Sequence, residues 1–139
     1  MIKIITDSTS DIDVTYAKEL NIDIVPLKVI IDGKEYKDRV DLQPDQFYSL
    51  LEKSEVLPTT SQPSPQEFLN YYEEAKEKGD SVIVMTLSGT ISGTYQSANI
   101  AKDLAEYENI YVIDSLNATQ ALRLLVLKAV AIREEGKDA

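Results

Sequence analysis

The sequence predicts an α/β domain: a three-layer α/β/α arrangement with a mostly parallel sheet plus an edge hairpin. Three observations carry that expectation. Short apolar runs at Ile2 to Thr6, Ser81 to Leu87 and Asn109 to Asp114 read as buried strands. Stretches of helical spacing lie between them, as right-handed crossovers in a parallel sheet require. The pair Asp32-Gly33, set between VII and KEYK, is a two-residue hairpin turn.

Each element has a local reason. After the first strand, VTYAKEL places Val14, Ala17 and Leu20 on one side of a short helix, and Asn21 can close it in a left-handed conformation. Pro26 belongs at the start or edge of its strand, because it cannot donate to a ladder. PDQFYSLLEK carries Pro44 in a first helical turn, with Phe47, Leu50 and Leu51 on one face. In SPQEFLNYYEEAKEKG, Ser64 and Glu67 form a capping box, Pro65 takes the first helical position and Gly79 ends the helix. Phe68, Tyr71, Tyr72 and Ala75 give that helix its buried stripe. The next helix packs through Ala98, Ala101, Leu104 and Ala105. The last, TQALRLLVLKAVAIREEG, closes at Gly136 and is apolar nearly all round. Such a helix wants cover on every side, from a partner subunit or from a longer chain.

Composition excludes several functions. A chain of 139 residues is one domain by its length. Its net charge of -10 disfavours nucleic acid and anionic membrane surfaces, which need clustered Lys and Arg. The most apolar tract, Ala121 to Ile132, is too short for membrane insertion and carries Arg123 and Lys128. With no cysteine there is no thiol nucleophile and no disulfide, which fits a reducing, cytoplasmic location. With no histidine there is no Ser-His-Asp triad and no His-based metal site. MIKIITDS opens directly as a strand, so no signal peptide is expected.

Ligands of parallel α/β sheets bind beyond the carboxyl ends of the strands. Three polar segments fall there: TDSTSD, LSGTISGT and IDSLNAT. PTTSQPS, Pro58 to Ser64, adds a fourth hydroxyl-rich loop away from any predicted strand end. LSGTISGT is the most informative, because it repeats Ser-Gly-Thr at a hinge between strand and helix. Glycine allows close backbone approach, and the following helix offers unpaired N–H groups and partial positive charge. Ser and Thr add donors without charge, so the loop suits a carboxylate or phosphate. A single hydroxyl there would be read as a cap; the cluster Ser88, Gly89, Thr90, Ser92, Gly93 and Thr94 reads as a ligand site.

Other motifs are weaker. DSTSDID resembles a calcium loop only superficially, since Lys18 stands at the twelfth position, and Ser10 or Asp11 is better read as a helix cap. Asp7 could act as a phosphoryl-accepting nucleophile, but Thr9 stands where a second acid is usual. No GxxxxGK is present. No metal site and no cofactor are expected.

Together, ITDSTSD, PLKVIIDGKEYKD, PTTSQPSPQEF, LSGTISGTYQSA and VIDSLNAT resemble the DegV family of fatty-acid-binding proteins. The resemblance implies a two-domain protein with a long-chain fatty acid buried between the domains. This chain, residues 1–139, corresponds to the N-terminal α/β domain, with the C-terminal domain that covers the lipid absent. The resemblance places the carboxylate among Thr59, Thr60, Ser61, Ser88, Gly89, Ser92 and Gly93. It also implies a carrier rather than an enzyme, with no catalytic residue of its own, that presents bound fatty acid to a separate fatty acid kinase. The family often has glycines after the last AT. Here Ala121 and Arg123 stand in those places. The alternative reading is binding or hydrolysis of a small phosphorylated metabolite at the same loop. Self-association through the last helix is a further expectation, and this chain alone is expected to bind fatty acid weakly or not at all.

Overall fold

In the computed structural model, which describes residues 1–139, the chain runs β1 (Ile2–Asp7), α1 (Val14–Glu19), β2 (Ile22–Val25), β3 (Lys28–Ile31), β4 (Lys34–Lys37) and α2 (Pro44–Leu51). It continues through β5 (Thr59–Ser61), α3 (Pro65–Lys78), β6 (Ser81–Thr86), α4 (Thr94–Ala105), β7 (Ile110–Asp114) and α5 (Thr119–Glu134). A 3-10 turn, Ser8–Ser10, follows β1.

The main sheet is parallel throughout, in the order β2-β1-β6-β7. Side chains alternate across it, so each face has its own core. On one face Ile5, Val82, Val84 and Ile110 pack against Phe68, Tyr72 and Ala75 of α3 and Ala98, Ala101 and Ala105 of α4. On the other, Ile4, Ile22 and Met85 pack against Ala17 of α1 and Leu122, Val126 and Val130 of α5. Helices therefore cover both faces, and the three-layer α/β/α expectation holds. Each fully buried aliphatic side chain in these layers contributes roughly 1.5–3 kcal/mol.

The local signals for caps and turns are borne out. Asp32 and Gly33 both have positive φ, 49° and 75°, as a primed hairpin turn demands. Ser64 and Glu67 make the reciprocal capping box, and Gly79 ends α3 in the left-handed region. Asn21 also has positive φ.

Four details differ from the sequence reading. The hairpin is not an edge of the parallel sheet. Pro26 follows the last residue of β2, and β3 then starts a second, antiparallel sheet in the order β4-β3-β5. Its small core is Val29, Ile31 and Leu42, under Phe47 and Leu50. Thr59–Ser61, read as loop, is the third strand of that sheet. Leu104 is 60% exposed, because Ala101 and Ala105 already fill the narrow gap to α3 and the sheet. The cap of α1 is Asp13, whose carboxylate accepts from the Thr15 and Tyr16 amides, and not Ser10 or Asp11.

The last helix buries one stripe and leaves the other bare: Leu124 is 68% exposed, and Leu125 and Ile132 are also open. Beside it lies the unpaired edge of β7, with Tyr111 and Ile113 exposed. No helix is long and apolar enough to cross a membrane.

Candidate functional site

The site is assembled where three strands of the main sheet end. In β1, β6 and β7, the residues two places beyond Ile5, Val84 and Val112 are Asp7, Thr86 and Asp114. By strand alternation they share the α3–α4 face and form a polar row across the top of the sheet. Asp7 and Thr86 are fully buried. The Thr86 hydroxyl has no hydrogen-bond partner.

The segment after β6 rests on this row. Its first three amides are each held by a different strand end or loop. Leu87 N–H donates to Asp7 Oδ2 at 2.7 Å, Ser88 N–H to the Asn117 carbonyl at 2.8 Å, and Gly89 N–H to Asp114 Oδ1 at 3.1 Å. Asp114 Oδ1 also takes the Leu116 amide at 2.9 Å.

The repeat in the sequence is a repeat in geometry. Thr90 N–H donates to Ser88 Oγ and Thr94 N–H to Ser92 Oγ, both at 3.3 Å. The hydroxyls close each unit, Ser88 to Thr90 at 2.8 Å and Ser92 to Thr94 at 3.0 Å. Each Ser-Gly-Thr is thus one side-chain-closed turn. The two glycines are needed for space, since neither has positive φ. A Cβ on Gly89 would lie 2.9 Å from Asp114 Oδ2, and one on Gly93 only 2.1 Å from Gln62 Oε1.

The two units differ in what they leave free. The three amides of the first are all taken, by the Asn117 carbonyl, Asp114 Oδ1 and Ser88 Oγ. The second opens α4, whose N-cap, Gly93, supplies no side-chain cap. The N–H groups of Gly93, Tyr95 and Gln96 have no protein acceptor. They carry the positive end of a 12-residue helix.

The structure brings PTTSQPS to this loop through Gln62, which the sequence reading passed over. Its side chain covers Gly93 and donates to Ser97 Oγ at 3.2 Å. The three expected residues before it diverge. Thr60 pairs with Val29 and lines a cavity of about 430 Å³ with Val29, Leu42, Phe47, Leu51 and Leu57. Thr59 and Ser61 pair with Ile30 and Lys28 and therefore face the opposite side. The loop residues Ser88, Gly89, Ser92 and Gly93 lie together, but they are not among the residues that line the cavity at Thr60.

Asp7 is not placed as a nucleophile. It is buried, and both oxygens are occupied, Oδ1 by the Thr9 amide and hydroxyl and Oδ2 by Leu87. Burial pushes its carboxyl above the usual carboxylate range, against the pull of those hydrogen bonds. Arg123 lies with its guanidinium 6.0 Å from the Tyr16 ring centroid, joining α5 to α1. No group of three or more acidic side chains is arranged to hold a metal ion.

Asp114 and Asn117 were visible only as parts of IDSLNAT. Their roles depend on where β7 ends relative to β6, which local spacing does not encode. For Asp7, the tight strand-end position was the available signal.

The fold and this loop define a parallel α/β domain with an anion-compatible helix start at the switch from strand to helix. The chain belongs to the DegV family: residues 1–139 match the family described as uncharacterised protein, DegV family. It is 44% identical over 137 residues to a DegV domain-containing protein of Clostridium acetobutylicum, covering 99% of this chain and 49% of that protein. A fat acid (stearic acid)-binding protein from Eubacterium ventriosum superposes with TM-score 0.93 at 34% identity, covering 99% of this chain and 49% of that one. The fatty acid kinase B3 protein of Streptococcus pneumoniae, loaded with linoleic acid, gives TM-score 0.84 at 28% identity, covering 99% and 50%. The chain therefore spans about half the length of the relatives it matches.

Proposed function

We propose that this chain is the head-group half of a fatty-acid-binding protein. The carboxylate of a long-chain fatty acid sits at the second Ser-Gly-Thr unit, at Ser92 and Gly93, which Ser88 and Gly89 of the first unit hold in place. The strand Thr59–Ser61 is tied to it through Gln62, with Thr60 on one face and Thr59 and Ser61 on the other. One observation carries the reading: three open amides at the start of α4 stand beside two hydroxyl-closed turns. Donors of that kind match a carboxylate and need no cation.

The acyl chain supplies most of the affinity, roughly 0.8 kcal/mol per methylene removed from water. A second domain, of the length that the relatives possess in addition, covers it. The protein acts as a carrier, and a separate fatty acid kinase performs the chemistry.

The test is backbone amide NMR of the labelled chain, titrated with decanoate below its micelle threshold. Saturable shifts at Ser92, Gly93 and Thr60 are expected. If those amides stay fixed while inorganic phosphate moves them, the fatty-acid reading falls.

A further inference from the structure

Two carboxylates flank the first Ser-Gly-Thr unit, Asp7 from below and Asp114 from the side. Neither forms an ion pair. Gly89 is exposed, and its amide is already taken by Asp114. The same oxygen takes the Leu116 amide, so the carboxylate is held at two points. Its second oxygen lies against Gly89, where a Cβ would stand 2.9 Å away and push the carboxylate aside. The clamp on this unit is therefore built, and it is anionic.

We propose that Asp114 is the specificity-determining residue of the loop: it occupies the Gly89 amide, closes the first Ser-Gly-Thr unit to ligands, and confines anions to the second. This rests on the head-group reading above and deepens it. An anion at the first unit would have to displace a tethered carboxylate and then sit beside it. At the second unit a singly charged carboxylate meets open amides at the end of α4, while a dianion feels the field of Asp114 and Asp7 twice over. The loop thereby takes a carboxylic acid in preference to phosphate, although its donors would suit both. The first unit positions and the second unit binds.

The experiment compares wild type, Asp114→Asn and Asp114→Ala by amide NMR. Without ligand, Asp114→Ala is expected to move the Gly89 and Leu116 amides upfield together, as a lost acceptor does. Asp114→Asn keeps a carbonyl oxygen and restores most of both shifts, while Ile110 and Val112 stay in place in both variants. Each protein is then titrated with decanoate and with inorganic phosphate. Wild type should show decanoate shifts at Gly93, Tyr95 and Gln96, none at Gly89, and no saturable response to phosphate. Asp114→Ala should gain phosphate shifts at Gly89 and Thr90, and Asp114→Asn should gain them at Gly93 and Tyr95. Gly89 and Leu116 amides unmoved by Asp114→Ala would overturn the proposal. So would phosphate shifts at Gly89 in wild type, or a phosphate response that neither variant changes. Decanoate silence in all three proteins would sink the head-group reading alone, because the phosphate arm still reads the clamp.

Discussion

The side chain of Gln62 lies over Gly93, with Nε2 donating to Ser97 Oγ at 3.2 Å. This side-chain hydrogen bond runs from the strip after β5 to the first turn of α4 and couples the two hydroxyl-rich segments. Gly93→Ala forces the Gln62 carboxamide off, and its φ of -72° means that space alone is at stake. Gln62 is exposed and its carboxamide can swing aside, so we expect a loss of about 0.5 kcal/mol. Gln62→Ala should then recover part of it, because the two changes share one contact. Urea denaturation of the two single mutants and the double mutant checks this; strict additivity would count against the contact.

The pH dependence of stability has opposite signs at two aspartates. Burial raises Asp7 above the ordinary value of 3.8, so its contribution is fully present below that value and is lost as pH rises through the folded pKa. Amide hydrogen bonds from Thr15 and Tyr16 lower Asp13, so its contribution is present above 3.8 and is lost as pH falls through its folded pKa. Relative to Asp7→Asn, whose side chain does not titrate, wild type should therefore lose melting temperature as pH rises from the acid side. The melting temperatures of wild type and Asp13→Ala should converge as pH falls. A wild type that gained on Asp7→Asn as pH rose would contradict its burial.

Within α5, position decides the cost of a change. Leu122 is fully buried, and Leu122→Ala should cost 2–5 kcal/mol, as in other cores. Leu124 is 68% exposed, and Leu124→Lys should stay within about 0.5 kcal/mol by chemical denaturation. If the bare stripe also mediates self-association, Leu124→Lys should lower the concentration dependence of the mass seen by light scattering. An unchanged monomer at every concentration in both proteins would remove that role.

Affinity for fatty acid on this chain should rise slowly with acyl length. Full burial adds roughly 0.8 kcal/mol per methylene, and an acyl chain covered on one side gains less. Calorimetry with octanoate, decanoate and dodecanoate gives the slope directly. A slope at the full value would mean that these residues enclose the tail unaided.

Much of this protein was legible in its sequence because the deciding forces are local. The Ser64–Glu67 box, the Asp32-Gly33 turn, and the apolar runs of β1, β6 and β7 each depend on neighbours within a few residues. The Ser-Gly-Thr repeat was also legible as an unusual loop, since glycines and hydroxyls are rare together without a backbone or ligand reason. What the sequence left open was decided by contacts between distant residues. Pro26 reads locally as the start or edge of a strand, and only the second sheet, built when Thr59–Ser61 pairs with β3, puts it in the link between β2 and β3. The purpose of each glycine followed from what lies against it, Asp114 on Gly89 and Gln62 on Gly93, at separations of 25 and 31 residues along the chain. Sequence fixed the turns because their energies are short-ranged; tertiary packing chose which amides remained free, because hydrogen bonds from other strands had first claim on the rest.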